Sequence, residues 1–325
     1  MVDLLEELDG FEHERIHLSG AREPLRAVPS IAMARARLRR RARDADLIHV
    51  VGDAAAMIAL PALRGRPAVV GTHGLHLLRR ARGAPGVLVR RRMRAVLAAS
   101  DLVVCSSQPE VDELAALVPG APLRLVPNGT ELPPRDDPAT RDAARAALGL
   151  RDDVVAVLYM GQLEERKRPL DAVAAAELAA SRGAPIVLLV VGDGPLAGAV
   201  AARAGAAVRP LGHRTDPRLL YAASDLFVLP SEREGQALAV LEAMAHERPV
   251  IVSDGVGNPE AVGSAGVVVA LGDVAALAEA LGRLAADPAE RARLGALGRE
   301  RVAREFSRER YLEEMGAVFS ELLRR

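Results

Sequence analysis

The chain has 325 residues, 50% of them hydrophobic and 2% aromatic, and its 43 Lys+Arg balance 43 Asp+Glu. That is enough chain for a large core and about two domains. The balanced charge gives no reason to expect a nucleic-acid partner, the apolar runs fall far short of the roughly 20 residues a membrane helix needs, and the single cysteine, Cys105, rules out an internal disulfide and a Cys-rich zinc site.

No signal peptide opens the chain, so a soluble, cytoplasmic protein is expected. The opening, MVDLLEELDGFEHERIHLSG, reads as the tail of a helix and then a strand. A doubly wound domain ordinarily opens with a strand and a turn. The first strand is therefore expected to be missing here, either because the true start lies upstream or because part of the domain is lost. Short β-rich runs follow: ERIHLSG, DLIHVV, PAVVGTH, DLVVCSS and LRLVPNG, separated by Ala/Leu/Arg segments of helical pattern. Up to Arg135 there are 20 Arg against 15 Asp+Glu, and beyond it 23 cations against 28 acids. The excess on the first half points either to an anionic partner or to solvated arginine. In RRARGAPGVLVRRRMR, Val89, Met93, Val96 and Leu97 form an apolar stripe beside Arg90, Arg91, Arg92 and Arg94. Such a helix either lies peripherally on an anionic membrane or packs on a sheet with its arginines in water.

A polar stretch, NGTELPPRDDPATRDAARAALGL, interrupts the pattern. A second set of strands follows: VVAVLYMG, PIVLLVVGDG, AAVRPLGH, DLFVLPS, PVIVSD and AGVVVA. Apolar strands alternating with helices predict parallel sheets covered on both faces. The expected architecture is α/β, two Rossmann-like doubly wound domains facing a cleft. Residues 1–135 form the first, 136–152 a linker, 153–305 the second, and 306–325 a final helix returning toward the first.

Chemistry concentrates in the second half. GQLEERKRP follows a strand and carries Arg166, Lys167 and Arg168 in a row, and Lys167 is the one lysine of the chain. Three cations at a strand's C-terminal end are either a clamp on a diphosphate or a solvated run. VVGDGPLAG resembles a dinucleotide fingerprint, but its spacing is G-x-G-x-x-x-G and no acid ends the next strand, so a nicotinamide cofactor is not expected. In PSEREGQALAVLEAMAHERPVIVSD, Glu242 is the only polar side chain from Ala237 to Ala245. The helix should be buried nearly all round, and its carboxylate needs donors, from a ribose, a backbone or an arginine. Ser231 to Glu234 fits a capping box, yet Gly235 would then sit inside the helix at a cost of about 1 kcal/mol. A helix starting after Gly235 leaves Glu234 free and aims the N–H groups near Gln236 to Leu238 at a phosphate.

Taken together, GQLEERKRPLDAV, VVGDGP, RPLGH, YAASDLFVLPSEREGQALAVLEAMAHERPVIVSD and GNPEAV resemble family 4 (GT4) of the retaining glycosyltransferases, which have the GT-B fold. The likeness is strongest over 153–262. It implies transfer of a sugar from a nucleotide-diphosphate sugar to an acceptor, with retention and without a metal or other cofactor. The family's E-x7-E pair falls on Glu234, implied to hold the transferred sugar, and Glu242, implied to hold the ribose. The amides of Gly235, Gln236, Ala237 and Leu238 would meet sugar and diphosphate. The family's G-R-L-x-x-x-K loop falls on Gly161 to Lys167, with Lys167 on the phosphate lysine and Gln162 where the family has arginine. Either Arg166 or Arg168 supplies the missing charge, or phosphate is held less tightly. Leu211 to Arg214, including Gly212 and His213, matches the stretch that packs the base. The family's H-x-H falls on His49 and Val51, so its second histidine is absent. His73, with His76 behind it, is the expected substitute and the third catalytic candidate beside Glu234 and Lys167. The acceptor, whether a glycan, a lipid-linked group or a small molecule, is not implied. A second reading is a catalytically impaired partner that keeps the nucleotide site. A nucleotide-sugar epimerase would share the fold but not the E-x7-E loop.

Overall fold

The apolar runs form two parallel sheets. A computed structural model describes residues 8, 10–12, 36, 38–63, 65–72 and 74–325. The chain divides into one unit of residues 1–129 with 308–325 and a second of residues 130–307.

The first unit contains β1 (Ile48–Val51), α1 (Asp53–Ala59), β2 (Ala68–Gly71), α2 (His76–Arg80), α3 (Gly83–Ala99), β3 (Leu102–Cys105), α4 (Gln108–Leu117) and β4 (Leu123–Leu125). Its described strands pair in the order β1-β2-β3-β4, all parallel. Alternation along each strand divides the side chains between two faces. Val70, Val103 and Cys105 pack with Met93, Val96 and Leu97 of α3. Val69, Leu102 and Val104 pack instead with Tyr311, Met315, Val318 and Phe319 of the C-terminal helix, Arg308–Leu323. His49 lies on that second side, its ring 5.4 Å from Phe319.

These contacts decide between the two readings of the α3 stripe in favour of packing on the sheet. Met93, Val96 and Leu97, read as a possible membrane-facing stripe, are fully buried, and Val89 packs against the same core. Truncating one of the larger of them to alanine would cost about 2–5 kcal/mol. His73, and the segment 13–35 with the expected strand ERIHLSG, lie outside the described residues.

The second unit contains α5 (Pro138–Ala147), β5 (Val155–Met160), α6 (Pro169–Ser181), β6 (Ile186–Val191), α7 (Ala197–Ala201), β7 (Val208–Gly212), α8 (Pro217–Ala223), β8 (Leu226–Leu229), α9 (Leu238–Ala245), β9 (Val250–Ser253), α10 (Asn258–Val262), β10 (Gly266–Val269), α11 (Val274–Ala286) and α12 (Pro288–Glu305). Its strands pair in the order β10-β9-β8-β5-β6-β7, all parallel. β6 is buried at every position, as expected for a strand covered on both faces.

The linker expected over 136–152 is instead part of this unit. Asp137 caps α5 by accepting from the Thr140 N–H at 2.6 Å. Arg145, buried on that helix, donates to Asp225 at 3.1 Å and to the carbonyls of Arg151 and Val154 at 2.6 and 2.8 Å. Arg141 pairs with the same aspartate. A Pro/Asp-rich composition looked like a hinge because the anchor that ties it to the sheet, Asp225, is far away in sequence.

Candidate functional site

The order of the second sheet reverses at its centre. From β5 the chain winds outward through β6 and β7, then returns to place β8, β9 and β10 on the other side of β5. Crossovers that leave two adjacent strands in opposite directions open a crevice at their C-terminal ends, the usual ligand position in such sheets. The loops there follow β5 at Gly161 and β8 at Pro230.

The first loop is held tightly. The Leu163 N–H donates to the Asp193 carbonyl at 2.9 Å. Gly192, at φ 143°, lies so close that a Cβ there would meet the Gly161 carbonyl oxygen at 1.9 Å, and one at Gly194 would meet that of Leu163 at 2.6 Å. The glycines of VVGDGP therefore serve close packing of the β5 loop. The buried Tyr159 hydroxyl lies 3.2 Å from the Lys167 carbonyl and 3.4 Å from that of Gln162. Burial, and then the nearby Glu234 and Glu164 charges, push this phenol's pKa up, so it stays a donor. Lys167 ends a 3-10 turn, Glu165–Lys167.

The second loop is tied to the first and to β9. The Glu232 N–H donates to the Arg166 carbonyl at 2.8 Å, the Glu234 N–H to the Val256 carbonyl at 2.8 Å, and the Val256 N–H to the Glu232 carbonyl at 3.1 Å. Asn258 Nδ2, fully enclosed, donates to Ser231 Oγ at 3.0 Å and to its carbonyl at 3.2 Å. Gly257 sits at φ 90°, where a Cβ would meet the Glu234 carbonyl oxygen at 2.6 Å.

The two loops bring opposite charges together. Lys167 Nζ lies 2.7 Å from both Glu234 Oε1 and Oε2. The Glu234 side chain is 5% exposed. Arg166 Nη1 is 3.6 Å from Glu234 Oε2 and donates to the Arg233 carbonyl at 2.6 Å, while Nη2 donates to Glu164 at 2.8 Å. Arg166 thus braces both loops. Arg168 adopts a left-handed conformation, φ 49°, ahead of Pro169. Its Nε donates to Asp171 at 2.5 Å, so it is engaged away from the Lys167–Glu234 pair. Gln162 is exposed beside them.

Helix α9 starts at Leu238, with Ala237 at the N-cap and no side chain capping it. That excludes the capping box: Glu234 lies four residues before the helix. Val240, Leu241, Ala243, Met244 and Ala245 are buried, and Glu242 is half-buried. The donor its carboxylate needs is Tyr221 of α8, whose hydroxyl donates to Oε2 at 2.8 Å. Burial pushes the Glu242 carboxyl above its ordinary 4.5, and the Tyr221 hydrogen bond opposes that rise. Gly235 and Ala237 are buried and Gln236 half-buried in the lead to the helix. Gly212 and His213 lie exposed at the end of the edge strand β7.

The second unit therefore gathers Gly161, Arg166, Lys167, Glu234 and Gly235 at one crevice, with Glu242 on the helix that leaves it. Sequence reasoning missed Tyr159 and Tyr221. The chain has three tyrosines, these two within apolar surroundings, and a buried tyrosine hydroxyl needs a partner; that was the available signal.

Comparison with known proteins identifies the family. The Glycosyltransferase Family 4 profile matches residues 3–132, and the profile for glycosyl transferases group 1 matches residues 155–287. D-inositol 3-phosphate glycosyltransferase of Saccharomonospora viridis is 32% identical over 286 residues, covering 80% of this chain and 65% of that protein. A homologue from Catenulispora acidiphila is 33% identical over 76% of this chain and 65% of its own length. The chain thus spans just under two thirds of these relatives. Among solved structures, sucrose-phosphate synthase of Thermosynechococcus elongatus superposes with a TM-score of 0.80 at 26% identity, over 96% of this chain and 85% of that one. Anabaena HepE, solved with UDP-glucose, superposes with a TM-score of 0.79 at 20% identity, over 93% and 85%. With profiles over both halves and two parallel α/β units, the chain belongs to family 4 of the GT-B glycosyltransferases.

Proposed function

We propose that the protein transfers a sugar from a nucleoside-diphosphate sugar to an acceptor hydroxyl, with retention and without a metal. The observation that carries this reading is the Lys167–Glu234 pair at the crevice. An ammonium has three donors; two point at the Glu234 oxygens, and the third serves a phosphate oxygen. Glu234 accepts from hydroxyls of the transferred sugar, Glu242 from those of the ribose. The uncapped start of α9 offers N–H groups and a positive dipole end to the diphosphate.

As the bond from the anomeric carbon to phosphate oxygen breaks, negative charge grows on the diphosphate and positive charge on the sugar ring. Lys167 and the α9 N-terminus stabilise the first, and Glu234 the second. The acceptor oxygen bonds to the same face of the anomeric carbon, and its proton passes to the leaving phosphate. Arg166, committed to Glu164, Glu234 and the Arg233 carbonyl, fixes Lys167 and Glu234 rather than replacing the charge absent at Gln162. His73 remains the proposed substitute for the family's second histidine.

A bound donor raises the melting temperature in proportion to RT ln(1 + [L]/Kd). In a thermal-shift panel, nucleoside diphosphates and their sugars should stabilise the protein and free sugars should not. UDP is tried first because HepE was solved with it. No shift with any nucleoside diphosphate would sink the reading.

For the acceptor side we propose peripheral contact with an anionic lipid surface through the outward face of α3. Val87 and Leu88 there are 62% and 60% exposed, beside exposed Arg90, Arg91 and Arg94. No acidic residue occurs between Arg79 and Ser100, so the charge suits phosphate headgroups. Among the described residues no helix is long and apolar enough to cross a membrane.

A further inference from the structure

We propose that Tyr221 is a positioning residue for the nucleotide: its hydroxyl holds the Glu242 carboxylate turned so that its second oxygen is presented to the ribose hydroxyls. This rests on the assignment of Glu242 to the ribose.

The Tyr221 oxygen has two acceptors within reach, Glu242 Oε2 at 2.8 Å and the Ala239 carbonyl at 3.2 Å. One hydroxyl carries one proton, and the shorter, charged acceptor takes it. The other positions around Glu242 on α9 are Ala, Leu, Val and Met, so the helix itself offers its carboxylate no side-chain donor. Without Tyr221 the carboxylate could rotate about its terminal bond and protonate more readily.

The ring has little freedom to move. Tyr221 is 1% exposed. Its ring stacks on His246 with centroids 4.9 Å apart and planes inclined by 19°, and lies 6.3 Å from the Phe227 ring. His246 Nδ1 is 3.8 Å from Asp136 Oδ2, which accepts from Arg248 Nη2 at 2.6 Å. The titratable and charged groups around the Tyr221–His246 stack are Glu242 on α9, Asp136 ahead of α5, Arg248 just before β9 and Arg218 on α8. Burial pushes the His246 imidazole down to about 4, so at neutral pH the stacked ring is uncharged. Asp136 and Arg248 face each other as a pair. The hydroxyl of Tyr221 is hydrogen-bonded to Glu242 and counters its desolvation.

The arrangement separates ribose recognition from the rest of the site. Tyr221→Phe keeps the ring and its stack and removes one hydrogen bond to a charged group. UDP should bind about tenfold more weakly, while 2′,3′-dideoxy-UDP, which has no hydroxyls for Glu242, should bind as before. The acid limb of UDP binding should also move to higher pH, because losing a donor to the carboxylate raises its pKa. In a Glu242→Ala background, Tyr221→Phe should have no further effect. Calorimetry of the full chain with both nucleotides measures all of this, with the ligand-free melting temperature as the folding control. Incorporating 3-fluorotyrosine offers the converse test without reshaping the pocket. A more acidic phenol donates more strongly, so UDP affinity should rise relative to dideoxy-UDP.

Equal losses for the two nucleotides, or no loss for UDP, would overturn the positioning role. So would an undiminished effect in the Glu242→Ala background. If Glu242→Ala itself leaves UDP affinity unchanged, the ribose assignment fails instead, and the two failures are told apart.

Discussion

At the C-terminal ends of their strands the two sheets treat buried charge differently. In the first unit, Glu110 is wholly buried and accepts from the Ser106 N–H and Oγ, both at 2.9 Å, and from Thr72 Oγ1 at 3.3 Å. Asp53, also buried, accepts from the N–H groups of Ala54, Leu77 and Leu78 at 2.8, 2.6 and 3.1 Å, fixing the start of α2. Both oxygens of Asp53 and the Oε2 of Glu110 are answered by neutral donors from their own unit, while Glu110 Oε1 is buried without a partner among the described residues. In the second unit Glu234 is answered by a lysine and an arginine, and Glu242, half-exposed, by one tyrosine. A carboxylate satisfied by backbone and hydroxyl donors shapes a loop. A carboxylate sharing an ammonium at an accessible crevice can exchange partners with a ligand.

That contrast can be broken by substitution. The largest effect should come from Lys167→Ala, which on the proposed reading removes a positive charge from where negative charge grows on the diphosphate and should lower kcat on the order of 10²–10³-fold, measured by nucleotide release from the sugar donor. A variant with near-normal turnover would return Lys167 to a structural role.

In the first unit, Glu110→Ala leaves buried donors unsatisfied. It should lower stability by about 2 kcal/mol in chemical denaturation, with UDP affinity unchanged. A stability loss in the Lys167 variant alone, or an affinity loss in the Glu110 variant, would reverse the assignment of roles.

His246 gives a pH test within the second unit. Burial lowers its pKa from 6.5 to about 4 against the opposing pull of Asp136. The folded state therefore holds the neutral ring, and its stabilising contribution is complete above pH 6.5. It is lost as pH falls toward 4, by about 1.4 kcal/mol per unit at most. His246→Phe keeps a ring against Tyr221 and removes the titration, so its melting temperature should fall less between pH 6.5 and 4. Parallel decline of the two proteins would contradict the neutral, buried imidazole. The smallest effect is expected at α3. Val87→Asp with Leu88→Asp should reduce pelleting with phosphatidylglycerol vesicles at low salt while leaving UDP affinity intact, and equal pelleting would remove the lipid surface from the account.

Much of the second unit was legible in the sequence because its signals are local. Continuous apolar runs rich in β-branched residues and bounded by Pro and Gly, such as IVLLVV, fit strands covered on both faces, and one glutamate in an apolar helix had to have a partner. The partner itself was not legible. Tyr221 lies 21 residues from Glu242, and only the packing of α8 against α9 brings them together. The same holds for α5, whose arginines reach Asp225 some 80 residues on. The stripe on α3 had the right spacing for either a core or a membrane, and periodicity cannot say which face of a helix the sheet covers. Arg166 and Arg168 read as one cationic run with Lys167, yet the left-handed turn at Arg168 sends their side chains to different partners.

The central claim is that the second unit holds a nucleoside diphosphate by its phosphates at Lys167 and by its ribose at Glu242. Titration calorimetry of UDP and of uridine against the unaltered chain, Lys167→Ala and Glu242→Ala tests it most directly. Lys167→Ala should weaken UDP and spare uridine, whereas Glu242→Ala should weaken both. Loss of uridine binding in the lysine variant, or intact UDP binding in the glutamate variant, would contradict it.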